Sequence, residues 1–179
     1  MKKLQGVVIK TTGRWHTVKL NDKQLMDCTV RGKFRIKGIR NTNPVAVGDQ
    51  VKLEQNPGED TGVITELVPR KNYIIRKATK LSKEAHIIAT NIDQAFVVVS
   101  LREPELSLMF IDRVLVSSEA YRIPAVILIN KMDLLDDDLT EMAEVYKYIY
   151  ESIGYQVMLI SAETGQNMNT LKNKMKNTS

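Results

Sequence analysis

Short stretches of alternating apolar and polar residues occupy the first seventy positions, and clusters of glycine, asparagine, aspartate and proline separate them. Alternation with a period of two is typical of strands that bury one face. The pattern predicts five strands, at residues 4–10, 14–20, 25–30, 50–55 and 62–68. Five short strands without a helical period favour a small closed β-barrel of the oligonucleotide-binding type (OB-fold), and an SH3-like barrel is the close alternative.

The pattern changes after residue 91, where apolar runs alternate with stretches of helical period. The predicted strands are 94–101, 125–129 and 155–160, and the predicted helices are 107–121, 138–153 and the stretch from 167 onward. Strict alternation of strands and helices predicts a parallel sheet with right-handed crossovers. Three strands are few for such a sheet, so we expect an incomplete α/β domain whose remaining strands lie beyond Ser179.

Charge distinguishes the two halves. Residues 1–72 contain 14 lysine or arginine and 7 aspartate or glutamate residues, whereas residues 73–179 contain 12 and 14. Four cations of the barrel stand at every second position, so an extended segment would place them on one side: Arg31, Lys33, Arg35 and Lys37. Such a row suits the phosphates of a nucleic acid, and we predict RNA binding there; a solvated strand face is the alternative.

Composition limits the other sites. Cys28 is the only cysteine, so neither an internal disulfide nor a cysteine-rich zinc site can form within these residues, and we expect a buried thiol. The lone Trp15 is expected in the barrel core, with base stacking as the alternative. No apolar run is long enough for a signal peptide or a membrane-spanning helix, so we expect a cytoplasmic protein without a membrane partner. We expect no metal site in this chain.

Two polar loops carry the candidate chemistry. The buried strand at 125–129 ends in Asn130, Lys131 and Asp133, and the next strand ends in Ser161 and Ala162. In α/β sheets ligands bind at the carboxyl ends of strands. A carboxylate at Asp133 is an acceptor, so it selects a base edge with two adjacent N–H donors, which guanine has and adenine lacks. The loops therefore predict guanine-nucleotide binding; two unrelated polar turns are the alternative.

The two loops resemble, in order and spacing, the base-recognition motifs of GTPases, but no Gly-x-x-x-x-Gly-Lys-Ser/Thr phosphate loop precedes them. A strand barrel followed by these motifs without that loop resembles a circularly permuted GTPase. More closely, it resembles the ribosome small-subunit-dependent GTPase A family. Further stretches similar to the pattern of that family are residues 31–34, 47–51, 69–72, 89–94 and 111–116.

The resemblance implies an OB-fold RNA-binding barrel at 1–70, a basic connector at 71–90 and, at 91–179, the first part of a P-loop-GTPase-like domain permuted so that base-binding motifs come first. For the complete protein it implies hydrolysis of GTP to GDP and phosphate in late maturation of the small ribosomal subunit, with that subunit and its rRNA as partners. The implied cofactors are GTP or GDP, with Mg²⁺ and a structural Zn²⁺ bound by residues after Ser179.

By position in the motifs, the resemblance makes Asn130, Lys131 and Asp133 base contacts and puts Ser161 and Ala162 on the guanine carbonyl edge. Catalytic residues are expected beyond Ser179, so the chain is expected to be a fragment that does not hydrolyse GTP alone. We expect a monomer whose open sheet edge allows strand exchange between chains. The alternative function is a non-catalytic RNA-binding module with a vestigial nucleotide loop.

Overall fold

The computed structural model describes residues 1–32, 44–76, 86–105 and 107–176, which divide into two compact units, Met1–Ile92 and Asp93–Ser179. The first unit begins with a closed barrel of five strands. Its predicted strand ends lie within two residues of the observed ones. The strands are β1 (Lys2–Thr12), β2 (Trp15–Leu20), β3 (Leu25–Val30), β4 (Gln50–Gln55) and β5 (Gly62–Leu67).

Strand order identifies the barrel as an OB-fold. The order around the barrel is β1-β2-β3-β5-β4, in which β3 and β5 pair in parallel and the other neighbours are antiparallel. This is the five-stranded Greek-key barrel of the oligonucleotide-binding type. The predicted fold class is confirmed for this half of the chain.

The barrel core comes from every second residue of each strand. Val8, Val18, Val51 and Ile64 are at most 1% exposed, while their neighbours in sequence face outward. Cys28 lies in the same core, and burial raises the pKa of its thiol to about 11. A thiol that stays protonated in an apolar core is unreactive. The buried position expected for Cys28 is confirmed.

The first two residues of β2 face opposite sides of the strand. Trp15 is 39% exposed, with the guanidinium of Arg14 5.7 Å from its ring centre, so the expectation of a core tryptophan is wrong. His16 is the buried residue, and its Nδ1 has no hydrogen-bond partner among the described residues. Desolvation lowers the pKa of His16, partly opposed by the charge of Asp49, so the imidazole packs as a neutral core side chain.

A short antiparallel ladder follows the barrel, formed by β6 (Tyr73–Arg76) and β7 (His86–Thr90). These strands occupy both ends of the stretch predicted as a basic connector, where the sequence analysis predicted no strands. A buried ion pair joins the turn before β4 to the segment before β6. Asp49 is fully buried and accepts two hydrogen bonds from Arg70, from Nε and from one terminal nitrogen, each of 2.7 Å.

The remaining acceptor capacity of the Asp49 carboxylate is also used. It accepts from the Ala46 N–H at 2.8 Å and from the Thr90 hydroxyl at 2.9 Å. Gly48, beside it, has a φ of +91°, and a Cβ there would lie 2.0 Å from the carbonyl oxygen of Thr90. Only glycine therefore allows the turn and β7 to approach this closely.

Asparagine side chains complete the same network. Asn72 donates to the carbonyl of Ile92 and accepts from its N–H, at 2.8 and 2.7 Å. Asn91 donates to the carbonyl of Gly48 and accepts from the N–H of Lys71, both at 2.8 Å. Three of the stretches that carried the family resemblance, at 47–51, 69–72 and 89–94, thus contribute to one hydrogen-bond network that attaches the ladder to the barrel.

The second unit is a three-stranded parallel sheet of order β10-β9-β8 with helices on both faces. Each predicted start lies within one residue of the observed one, and so does each predicted end; the last helix was predicted without an end. The elements are β8 (Ala95–Ser100), α1 (Leu108–Ala120), β9 (Ala125–Asn130), α2 (Asp137–Ser152), β10 (Gln156–Leu159) and α3 (Met168–Met175). The predicted parallel α/β half is confirmed.

Each face of this sheet has its own apolar cluster. Val97, Ile127 and Ile129 pack with α1 and α2 on one face. On the other face, Val126 and Leu128 pack with Leu171 of α3 and its neighbours. The central strand β9 is buried on both faces, as expected for an almost wholly apolar strand in a parallel sheet. No helix in the described ranges is long and apolar enough to cross a membrane.

Candidate nucleotide-binding site

The first candidate loop begins where the buried strand β9 ends. Asn130 is the last residue of β9, and Lys131 adopts a left-handed conformation with a φ of 66°. A single 3₁₀ turn, Met132–Leu134, follows before α2. The left-handed residue ends the extended chain of β9, and Asp133, two residues later, is solvent-exposed.

The second candidate loop lies directly beside the first. Ser161 follows β10 and is fully buried, and its hydroxyl donates a short hydrogen bond to Oδ1 of Asp133. The same hydroxyl oxygen accepts from the N–H of Thr164 at 3.1 Å. Ser161 thus fixes the Asp133 carboxylate and the turn of its own loop with one side chain.

A second side-chain bridge connects the loops. Oδ1 of Asn130 accepts a hydrogen bond from the N–H of Ala162 at 3.1 Å. The backbones are joined as well, because Ile160 donates to the carbonyl of Ile129 at 2.8 Å and accepts from Met132 at 3.2 Å. Four of the five residues predicted to contact guanine are therefore joined in two hydrogen-bonded pairs between the loops, Asp133 with Ser161 and Asn130 with Ala162.

The side chains of Asp133 and Asn130 each keep a polar atom that the bridges between the loops do not use. Among the described residues, Oδ2 of Asp133 accepts no hydrogen bond and Nδ2 of Asn130 donates none. The site therefore offers a carboxylate acceptor already held by Ser161 and an amide donor already held by Ala162. Such a preorganised pair can recognise a planar ring that carries adjacent N–H donors and a nearby acceptor.

A third segment supports the site, and sequence reasoning missed it. Nζ of Lys131 donates to the carbonyl of Glu103, and a terminal nitrogen of Arg102 donates to the carbonyl of Leu134 at 3.1 Å. The hydroxyl of Ser100 donates to the carbonyl of Arg102 at 2.5 Å. The pairing of the strands could have indicated it. Strands β8 and β9 are parallel and equal in length, so Ser100 at the end of β8 lies beside Asn130 at the end of β9.

The predicted RNA-binding cations are only partly within the described residues. Arg31 lies just after β3 and forms an ion pair with Glu54, with its terminal nitrogen 2.7 Å from a carboxylate oxygen. Lys33, Arg35 and Lys37 lie outside the described residues. In the ranges that the structure describes, no group of three or more histidine, cysteine, aspartate or glutamate side chains could hold a metal ion.

Comparison with known proteins identifies relatives along nearly the whole sequence. The family model described as RsgA N-terminal domain matches residues 5–64, and the one described as RsgA GTPase matches residues 67–179. A curated relative from Bacteroides fragilis, named small ribosomal subunit biogenesis GTPase RsgA, is 48% identical over 97% of this chain and 56% of its own length. The chain thus spans about half the length of the curated relatives it matches.

Solved structures agree in fold. The crystal structure of YjeQ from Thermotoga maritima is 32% identical, with a TM-score of 0.77 over 99% of this chain and 58% of that one. YloQ, described as a circularly permuted GTPase, is 29% identical with a TM-score of 0.75 over the same shares. The resemblance to ribosome small-subunit-dependent GTPase A is confirmed: with its barrel and its GTPase unit both matched, the chain belongs to the RsgA family of circularly permuted GTPases.

Proposed function

We propose that this chain is the guanine-recognising and RNA-docking part of a ribosome-assembly GTPase. One observation carries the proposal: two loops 28 residues apart in sequence hold each other through the hydrogen bond between Ser161 and Asp133. That bond has no function in closing the sheet, since the strands are already paired. It fixes an exposed carboxylate at the carboxyl end of a parallel sheet, where α/β proteins bind nucleotides.

In the proposed site, Asp133 accepts from the ring N–H and the exocyclic amine of guanine. Asn130 and the backbone amides beside Ser161 and Ala162 face the carbonyl side of the base. Lys131 contributes its aliphatic stem as a wall of the pocket, because its ammonium is held at the carbonyl of Glu103. Arg102 supports the loop from below without touching the base, and is therefore a positioning residue.

The complete protein would supply the rest of the catalytic apparatus. Hydrolysis of GTP to GDP and phosphate requires a phosphate-binding loop, Mg²⁺ and a positioned water. We assign none of these to residues 1–179, nor the structural Zn²⁺ that the sequence resemblance implied. The proposed task of this chain in the nucleotide site is selection of guanine over adenine. We propose that this task belongs to a base-recognition region at 91–179, which is separate from the barrel at 1–70.

Nucleotide titration of this chain tests the site. With GDP at millimolar concentration, the amide resonances of residues 130–133 and 161–165 should shift in a saturable way, and ADP should leave them unchanged. Guanine is preferred because adenine would place an unprotonated ring nitrogen, an acceptor, against the acceptor carboxylate of Asp133. This unpaired contact should lower the affinity for ADP roughly 100-fold relative to GDP. The measurement is a two-dimensional amide NMR titration.

Equal shifts with GDP and ADP would contradict the guanine assignment and favour the alternative, a non-catalytic RNA-binding module. Ser161→Ala provides a matched internal variant. It removes the hydroxyl that holds both the Asp133 carboxylate and the N–H of Thr164, so its GDP-induced shifts should saturate only at higher concentration.

We propose that the barrel contacts rRNA of the small ribosomal subunit in the cytoplasm through Arg31, Lys33, Arg35 and Lys37. The support is the excess of cations in residues 1–72 and the OB-fold, a barrel that binds oligonucleotides in many proteins. Arg31 is engaged by Glu54, so phosphate binding there requires exchange of that surface ion pair. Surface pairs of this kind contribute little, about 0–1 kcal/mol, and exchange readily.

Charge reversal tests this contact in the complete protein. Replacing Lys33, Arg35 and Lys37 together by glutamate should weaken binding to purified small subunits, and the slope of log affinity against log salt should fall in magnitude by about 2 to 3. The matched control makes the same three charge changes at the end of α3 and directly after it, at Lys172, Lys174 and Lys176, and should retain the wild-type slope. Equal losses in both variants would show a general charge effect and contradict a specific contact.

A further inference from the structure

Helix α2 has a row of exposed apolar side chains on a face that the sheet does not cover. Met142 is 43% exposed, Val145 48% and Ile149 44%, and Ile153, directly after the helix, is 63% exposed. Their spacing of three or four residues places them on one side of the helix. These four residues are called the α2 stripe below. Contiguous exposed apolar surface of this kind marks a site of interaction.

The stripe is separate from the face that anchors α2. Ala143 and Tyr150 are buried against the sheet, and the hydroxyl of Tyr150 donates to Asp112 of α1 at 2.9 Å. Burial together with the neighbouring carboxylate raises the pKa of Tyr150 to about 12, so the phenol stays a donor. The helix is therefore already fixed in place without the stripe.

The charge around the stripe is negative, in a chain whose formal net charge is +5. Helix α2 carries five acidic residues and one lysine, Lys147. Asp138 and Glu141 precede Val145 by seven and four residues, so they share the face of the stripe. The helix dipole accounts for acidic residues in the first turn, but Glu141 lies beyond that turn and is not explained by it.

We propose that the α2 stripe, together with Asp138 and Glu141, binds a lysine- and arginine-rich amphipathic segment of a small-subunit protein. Its apolar side chains would pack on the stripe, and its cations would meet the two carboxylates, as in helix-in-groove recognition with complementary charge. That the partner belongs to the small ribosomal subunit rests on the function proposed above. RNA fits poorly, since its phosphates would face carboxylates. A second copy of this chain would bring the same carboxylates together.

Photo-crosslinking in the complete protein tests the identity of the partner. A benzophenone amino acid in place of Val145 is irradiated in the presence of purified, intact small subunits, and the adducts are identified by mass spectrometry. We expect adducts with a small-subunit protein, within a segment rich in lysine and arginine. Adducts with rRNA, with the protein's own chain or with a second copy would overturn the proposal, and so would the absence of adducts.

A binding measurement provides the second test. The double substitution Val145→Ser and Ile149→Ser should weaken small-subunit affinity about tenfold, since part of two aliphatic side chains no longer contributes buried area. The matched control is Val116→Ser on α1, which is 70% exposed and lies off the stripe. Both variants should bind GDP and melt like the wild type, because none of the three side chains lies in the core.

The two proposals fail in different ways. If the wild-type protein does not bind small subunits, both the proposed function and the α2 contact are wrong. If the wild type binds but the double variant and the Val116 control bind equally well, only the α2 contact is wrong.

Discussion

Asp133→Asn in the complete protein should lower the affinity for GDP roughly 100-fold and raise the affinity for xanthosine diphosphate. The amide keeps one acceptor and presents a donor where the second carboxylate oxygen stood. Xanthine carries a carbonyl where guanine carries the exocyclic amine, so it matches the amide and guanine no longer does. The hydroxyl of Ser161 can still donate to Oδ1 of the new side chain, so the loop should keep its conformation. Competition binding with both nucleotides measures the exchange of preference.

The control for this substitution is Asp137→Asn, which makes the same chemical change four residues away, in the exposed first turn of α2. It should leave the preference between GDP and xanthosine diphosphate unchanged. An unaltered preference in Asp133→Asn would remove Asp133 from the base contact. If the affinities for GDP and xanthosine diphosphate fell by the same factor, the substitution would have disturbed the loop. It would then say nothing about contact with a base edge.

The adjacency of the two candidate loops was predictable from sequence, and the segment that supports the first of them was not. The apolar run of β9 followed by Asn130, and the apolar run of β10 followed by Ser161, place two loop starts at the same edge of a parallel sheet. Periodicity and strand order are sufficient for that inference. The contacts from Lys131 to the carbonyl of Glu103 and from Arg102 to Leu134 depend on the path of an irregular loop. No periodic pattern encodes such a path.

A similar limit applies to the fold. Strands with one buried face, such as β3 and β4, were predicted to the residue because alternation by itself defines them. Strands β6 and β7 were missed because their surroundings are rich in lysine and arginine and suggested a connector. Trp15 was wrongly expected in the core, since the composition of a strand says nothing of its phase. His16, Val18 and Leu20 share one face by alternation along β2, and that face is the buried one, so Trp15 points outward.

Asp49→Ala should destabilise the barrel unit by about 3–5 kcal/mol, the usual effect of removing one partner from a buried ion pair. The side chain of Arg70 is only 10% exposed, so the guanidinium would remain in the interior without its counter-charge. The N–H of Ala46 and the hydroxyl of Thr90 would lose an acceptor at the same time. Because whole domains are stable by only about 5–15 kcal/mol, a large part of this unit's stability depends on one carboxylate.

Urea unfolding of this chain followed by tryptophan fluorescence measures the loss, since Trp15, the single tryptophan, lies in β2 of the same unit. Glu54→Ala is the matched control: it removes the partner of the exposed Arg31 and should cost at most about 1 kcal/mol. Adding Arg70→Met to Asp49→Ala should restore part of the stability, because no unpaired charge then stays buried. If Asp49→Ala cost no more than Glu54→Ala, the ladder of β6 and β7 would not depend on this network. The 47–51, 69–72 and 89–94 stretches would then require an explanation other than their mutual contact.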